Sequence, residues 1–148
     1  MLSSKAKYGL KAMVYLARNE NQGAVVIQDI ATAETIPKKF LDAIMLELKN
    51  NGLLTSKKGK GGGYMLAVPA AQIRVGDIIR VLDGPLAPVP CASRNAYKPC
   101  ADCRDEAGCA VRAVMSDVRD AIAAILDTCS LSDMASKGAG ELILNYEI

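Results

Sequence analysis

The apolar residues of the first fifty positions recur at helical spacing in three segments. Ser3 or Ser4 can cap the first helix, and a short second helix is expected at about residues 27–34. Pro37 suits the first position of the third helix, where its missing N–H needs no partner, and Asn50-Asn51-Gly52 supplies a left-handed stop. The positions expected to face the core are Leu10, Met13, Val14, Ala17, Ile30, Ala31, Phe40, Leu41, Ile44, Met45 and Leu48. The pattern predicts a helix-turn-helix.

A glycine-rich segment follows the third helix. Residues 53–57 and 64–67 read as two short strands around Lys58-Gly59-Lys60-Gly61-Gly62-Gly63, where the glycines permit positive φ. The sequence lacks the terminal Lys-Ser/Thr and the following helix of a nucleotide-binding P-loop. The segment therefore predicts a β-hairpin wing, and the fold class is mainly α with this small hairpin.

The second half of the chain predicts a fourth helix at residues 73–82, a loop over residues 85–109 and one long helix. Apolar residues of the long helix recur every 3.5 residues on average, which favours pairing with another helix, although packing within the chain is the alternative. This seam consists of Val111, Met115, Val118, Ile122, Ile125 and Cys129. Gly138-Ala139-Gly140 reads as a flexible break before an apolar segment. The predicted divisions are a DNA-binding domain (1–84), a cysteine-rich loop (85–110), a dimerisation helix with a short following segment (111–137) and a tail (138–148).

Composition excludes several chemistries. The chain has no histidine, so it cannot supply a Ser-His-Asp or Cys-His pair or a histidine metal ligand. With no tryptophan and one phenylalanine, we do not expect the aromatic platforms typical of single-strand binding. No apolar stretch reaches the roughly 18 residues of a membrane span, and no secretory signal is evident at the N-terminus. We expect a cytoplasmic protein that is not an enzyme and does not bind membranes.

Charge is distributed unevenly along the chain. Residues 1–82 contain twelve basic and six acidic side chains, whereas the remaining residues contain six basic and ten acidic ones. A basic half joined to an acidic, cysteine-bearing half is typical of a polyanion-binding module attached to a sensing or assembly module. The alternative is an uneven distribution of solvated surface charge.

Four of the five cysteines lie in one polar loop, at Cys91, Cys100, Cys103 and Cys109. This loop contains almost no large apolar side chain, so bound metal would supply the order that a core cannot. Four thiolates suit an iron–sulfur cluster or zinc, and free thiols or a thiol redox switch are the alternative. Dithiol exchange at Cys100-Ala101-Asp102-Cys103 is a weaker hypothesis, because no histidine can activate it. Cys129 reads as a small buried apolar residue on the long helix.

The run IPKKFLDAIMLELKNNGLLTSKKGKGGGYMLA, followed by VGDIIRVLDGP and the cysteine loop, resembles the Rrf2 family of bacterial winged-helix transcriptional regulators. The resemblance extends over roughly residues 1–137. It implies a homodimer that binds a palindromic operator in double-stranded DNA. It also implies a two-iron or four-iron cluster whose state, set by redox conditions, iron or nitric oxide, controls DNA affinity.

The family's cluster cysteines are usually three, spaced by five and five residues. Cys103 and Cys109 match the later two, and the first is Cys91 or Cys100. Arg112 stands where IscR-like members have a ligating histidine, and an NsrR-like aspartate would fall near Lys7. The resemblance therefore favours an all-cysteine ligand set of Cys91, Cys100, Cys103 and Cys109, with a zinc-stapled loop as the alternative.

Position in the helix-turn-helix and wing assigns the expected DNA contacts. The third helix is the expected recognition helix, and the wing is expected to lie against backbone or minor groove. In similar proteins the first helix crosses a phosphate strand. Phe40 is interpreted as a core residue only. The expected contacts are Ser3, Lys5 and Tyr8 in the first helix, Lys38, Lys39 and Asp42 in the third, and Lys57, Lys58 and Lys60 in the wing.

Overall fold

The computed structural model describes residues 2–144. Six helices and one two-stranded antiparallel sheet form the fold, with short 3₁₀ turns at Glu20–Gln22, Ala70–Gln72 and Pro90–Ala92. The elements are α1 (Ser4–Arg18), α2 (Ile27–Glu34), α3 (Lys38–Asn50), β1 (Leu54–Lys57), β2 (Gly63–Leu66), α4 (Val75–Asp83), α5 (Ala110–Leu126) and α6 (Leu131–Leu144). The predicted fold class, mainly helical with a small hairpin, is confirmed.

The helix-turn-helix has the expected caps, with one shift. The Ser3 hydroxyl accepts a hydrogen bond from the Ala6 amide at 3.0 Å and so begins α1. Pro37 was expected as the first residue of α3, but its ψ of 123° makes it the N-cap residue. Its missing N–H is still tolerated there, because an N-cap nitrogen lies outside the helical ladder. Gly52, at φ 80°, ends α3 as predicted.

The hairpin is fixed to the rest of the domain at its base. Leu54 of β1 pairs with Leu66 of β2, and Tyr64 exchanges two backbone hydrogen bonds of 2.7 and 2.8 Å with Val25, just before α2. Gly63 makes this approach possible, because a Cβ there would lie 2.3 Å from the Val25 carbonyl oxygen. The wing is thus hydrogen-bonded to the helix-turn-helix.

One core joins α1, α3, α4 and the start of α6. Its largest fully buried side chains are Met13, Ile30, Leu41, Ile44, Met45, Leu48, Leu54, Ile78 and Leu131. Phe40 was expected in this core and is instead 44% exposed. The inward face of α3 follows the i, i+3, i+4, i+7 positions from Leu41, and Phe40 lies one residue off that face.

The segment between α5 and α6 is joined to the start of α4 by a backbone bridge, a pair of antiparallel hydrogen bonds. Val75 donates to the Cys129 carbonyl at 3.0 Å, and Leu131 donates to the Ile73 carbonyl at 2.8 Å. Cys129 therefore lies between α5 and α6 rather than on the long helix, because α5 ends at Leu126. Its side chain is half-buried against the core.

The break expected at Gly138 is wrong, because α6 continues through it to Leu144. Gly138 is instead a close-approach position: a Cβ there would lie 2.8 Å from the Arg18 guanidinium. Arg18 also donates to the Ala135 carbonyl at 3.0 Å, so α6 packs on α1 at this point. The tail residues 145–148 lie outside the described residues.

An ion pair fixes the end of α5 to α4. Arg80 donates two hydrogen bonds of 2.7 Å to the Asp127 carboxylate, and Arg74 donates to the Asp127 carbonyl at 2.7 Å. The hydrogen bond with Arg80 lowers the pKa of Asp127 below its ordinary value. Gly76 allows this contact, since a Cβ there would lie 2.1 Å from the carboxylate.

Within residues 2–144, no helix is both long and apolar enough to cross a membrane.

We expect Leu131→Ala to lower the free energy of unfolding of the protein by about 2–5 kcal/mol, because Leu131 is fully buried in the core. Urea denaturation measures the change. Leu46→Ala is the matched control: Leu46 is 51% exposed, so its loss should change stability by no more than about 0.5 kcal/mol. Equal effects for the two variants would contradict the placement of Leu131.

Candidate nucleic-acid interface and cysteine loop

The first turn of α3 presents two exposed lysines. Lys38 pairs with Asp42 at 3.3 Å, one turn further along the helix. No ion pair within the described residues involves Lys39. Of the three residues expected to contact DNA from α3, Lys39 is therefore the one with an uncompensated charge.

Two of the α1 residues that are expected to contact DNA already bond to other residues of the chain. The Ser3 hydroxyl caps α1 and also donates to the carboxylate of Asp83 at the end of α4. Lys5 pairs with Glu47 of α3 at 2.5 Å. Both contacts position α1 against its neighbours, so Ser3 and Lys5 have less capacity left for an external phosphate than the sequence suggests.

The wing carries three exposed lysines, Lys57, Lys58 and Lys60. No ion pair within residues 2–144 involves any of them. Gly59 and Gly61 have φ values of 86° and 76°, which L side chains rarely adopt, so the glycines permit the tight turn that presents these lysines. The wing is a concentrated positive charge suited to a polyanion.

Tyr8 of α1 contacts Phe40 rather than standing alone on the surface. Their rings meet edge to face, with centroids 5.7 Å apart and planes at 86°. Phe40 was missed as a surface residue because an aromatic residue in an amphipathic helix is usually buried. Its position relative to the i, i+3, i+4, i+7 core face was the signal that could have revealed it.

In the cysteine loop, Cys91 is buried and Cys100 is exposed. A hydrogen bond between their side chains raises the pKa of the Cys100 thiol above its ordinary value. Cys103 is exposed and donates its amide to the Cys100 carbonyl at 3.2 Å. Cys109 caps α5, where its sulfur accepts from the Arg112 amide at 3.4 Å.

Two arginines of α5 hold the Pro90–Ala92 turn. Arg112 donates to the Cys91 carbonyl at 3.1 Å and pairs with Glu106 at 3.2 Å. Arg119, two turns further along, donates to the Ala92 carbonyl. Arg112 therefore stabilises the fold of the loop, at the position where IscR-like members have a ligating histidine. Sequence reasoning missed the part played by Arg119.

The four loop thiols do not form a ready-made metal site. In the described part of the chain, no three Cys, Asp or Glu side chains lie close enough together to hold a metal ion. The donor chemistry suits a cluster, since four thiols share one loop, but the described arrangement of the loop does not bring three of them together.

The long helix α5 has an apolar face that the described part of the chain leaves exposed. None of its residues is buried, and Val111, Val118 and Ile125 of the predicted seam are 61%, 37% and 68% exposed. Met115 and Ile122 are half-buried. Val114, which the seam did not include, is 56% exposed.

A helix-turn-helix followed by a lysine-bearing hairpin defines a winged-helix DNA-binding protein.

The chain belongs to the Rrf2 family, whose model, described as an iron-dependent transcriptional regulator, matches residues 2–137. An HTH-type transcriptional regulator described as rrf2-like, from Rhodobacter capsulatus, is 40% identical over 93% of this chain and 94% of its own length. The structure of CymR, the global cysteine regulator of B. subtilis, superposes with a TM-score of 0.76 at 34% identity, covering 93% of this chain and 97% of that one. IscR of T. potens gives a TM-score of 0.74 at 30% identity, with 93% and 88% covered.

These relatives are transcriptional regulators, which confirms that the chain is a regulator of this family and not an enzyme.

We expect Lys58→Ala to weaken DNA binding for all sequences and to reduce the magnitude of the log K against log salt slope by about 0.9, the contribution of one phosphate contact. Binding titrations at several salt concentrations measure the slope. Lys137→Ala, which removes an exposed lysine from α6, is the control and should leave it unchanged. An unchanged slope for Lys58→Ala would remove Lys58 from the contact set.

Proposed function

We propose that this protein is a homodimeric, sequence-specific regulator that binds a palindromic operator through α3 and the wing. We further propose that an iron–sulfur cluster, held by Cys91, Cys100, Cys103 and Cys109, controls its DNA affinity. The observation that carries the proposal is the uncompensated positive charge of Lys39 and the wing lysines on the helix-turn-helix and its hairpin. Membership of a family of transcriptional regulators supports it.

Each part of the basic surface has a distinct role. The N-terminal turn of α3 enters the major groove, where Lys38 and Lys39 reach phosphates or guanine edges and Asp42 accepts from a cytosine amine. Lys57, Lys58 and Lys60 contact the phosphate backbone or minor groove. Ser3, Lys5 and Tyr8 support the approach of α1 to a phosphate strand. The ion pair of Lys38 with Asp42 must loosen for both to contact DNA, so Lys39 is the stronger candidate contact.

Dimerisation through α5 follows from its exposed apolar face. Valine and isoleucine side chains on one stripe of a helix lose contact with water when a second copy packs against them. A dimer also matches the two-fold symmetry of a palindrome, whose half-sites lie about 34 Å apart. The seam Val111, Met115, Val118, Ile122 and Ile125 is the proposed interface, with Val114 beside it.

We expect Val118→Glu to yield monomers that have lost most of their operator affinity, because a buried carboxylate is strongly unfavourable and both half-sites must be bound together. Sedimentation gives the oligomeric state, and operator titration gives the affinity. Val68→Glu, at an apolar residue 42% exposed outside α5, should remain dimeric. A monomeric wild type would refute the dimer.

The cysteine loop is placed to influence α5. Cys91 lies in the turn that Arg112 and Arg119 hold, and Cys109 caps the same helix. Thiolate coordination orders a loop that has little apolar burial of its own, so binding of a cluster and folding of the loop are coupled. The cluster would supply a redox-sensitive, iron-dependent centre, and the loop must rearrange to bring the thiols together.

We expect serine at Cys103 or Cys109 to abolish bound iron and sulfide, and serine at Cys91 or Cys100 to abolish or reduce them. Each substitution removes a thiolate that only water or an external thiol could replace. Iron and sulfide analysis of proteins purified without oxygen is the measurement. Cys129→Ser is the control, because Cys129 lies apart from the loop, and loss of iron in this variant alone would overturn the assignment.

A second candidate for the loop rests on its four free cysteines, which share one polar segment. Free thiols are suited to direct oxidation or to sharing a zinc ion. An absorption spectrum of the anaerobic protein separates these possibilities. Visible bands indicate an iron–sulfur cluster, a colourless sample with zinc indicates a staple, and a colourless metal-free sample indicates thiol chemistry.

A further inference from the structure

The first turn of α3 exposes the chain's single phenylalanine. Phe40 is the third residue of the helix and is 44% exposed, next to the positively charged Lys39. One exposed apolar residue is ordinary by itself. At this position it is informative, because the N-terminal residues of a recognition helix are the ones that reach base edges.

Phe40 forms one wall of a groove between the starts of α1 and α3. The groove has a volume of about 540 Å³ and is lined by Ser4, Tyr8, Pro37, Lys39, Phe40 and Ala43. Tyr8 supports the Phe40 ring edge to face at 5.7 Å. Phe40 is therefore held in place by its neighbour, and Ala43, one turn along, leaves room beside it.

Charge at the rim of this groove indicates its occupant. Lys39 lines the groove and Lys38 precedes it, so an anionic partner is favoured over a neutral apolar peptide. In the major groove of DNA, thymine alone presents an apolar group, its C5-methyl, between phosphate strands, and phenylalanine and alanine are side chains that contact it. The groove has an apolar wall that suits the methyl group and, beside it, a positive charge that suits the phosphates.

We propose that Phe40, with Ala43, contacts the C5-methyl group of one thymine in each operator half-site and so determines part of the base preference. This inference rests on the proposed function and adds to it the base and the residue that reads it. The ring gives no hydrogen bond to a base edge, so discrimination comes from burial of the methyl group. Cytosine, which lacks that methyl, would leave the pocket wall without contact.

The test begins with selection of the preferred duplex from a random pool, using the full-length protein. Each thymine of that duplex is then replaced singly by uracil, which lacks only the C5-methyl, and dissociation constants are measured at one salt concentration. For the wild type, we expect one thymine per half-site to give about fourfold weaker binding as uracil, the effect of burying one methyl group. Phe40→Ala should bind the thymine and uracil duplexes equally.

Two further variants sharpen the test. Leu46→Ala removes another exposed apolar side chain from α3 and should retain the fourfold response to uracil at the same position. Phe40→Gln keeps a side-chain stem against Tyr8 and should lose the response, so it replaces Phe40→Ala if that variant does not fold by circular dichroism.

The outcomes separate this inference from the proposed function. Specific, salt-dependent binding with no uracil response at any thymine would overturn the contact while leaving the proposed function intact. So would a fourfold response that persists in both Phe40 variants. Failure of the selection to enrich any sequence would overturn the proposed function itself. A change of oligomeric state in Phe40→Gln, seen by sedimentation, would assign the groove to a second copy of the chain and refute the contact.

Discussion

The backbone bridge between the start of α4 and the residues after α5 is the constraint on which the placement of the second half of the chain depends. Val75 bonds to Cys129 and Leu131 to Ile73, and Leu131 enters the core directly after the bridge. The Arg80–Asp127 pair then fixes the residue that directly follows α5 to α4. With this end fixed, no residue of α5 is buried by the rest of residues 2–144, and its first turns lie beside the cysteine loop.

Local signals in the sequence were sufficient for the winged helix-turn-helix. Three features of this domain depend only on residues close together in the sequence: the Ser3 cap, the positive φ of Gly52 and the glycine-rich hairpin. Residue propensity and periodicity predict such local features well. The errors arose where a distant contact determines the outcome. Gly138 reads as a break until Arg18 is known to approach it, and Cys129 continues the seam by spacing although the bridge to Val75 ends the helix first.

The candidate site was predictable to a similar degree. The wing lysines could be identified from composition and spacing, because a glycine turn presents them whatever the rest of the chain does. The ion pair of Lys5 with Glu47 and the hydrogen bond of Ser3 with Asp83 could not be predicted, since each joins residues more than 40 positions apart. The exposure of Phe40 depends on which face α3 turns to α1 and α4, and the loop tethers of Arg112 and Arg119 depend on where the Pro90–Ala92 turn lies.

Two arginine side chains of α5, Arg112 and Arg119, connect this helix to the cysteine loop. They bond to the Pro90–Ala92 turn from the first and middle turns of α5, while the end of α5 is fixed to α4. Its 17 residues span about 25 Å, so a tilt of about 5° at the fixed end displaces the other end by about 2 Å. The geometry of a rigid helix therefore relates its two ends: a shift of about 2 Å at the loop end corresponds to a tilt of about 5° at the end fixed to α4.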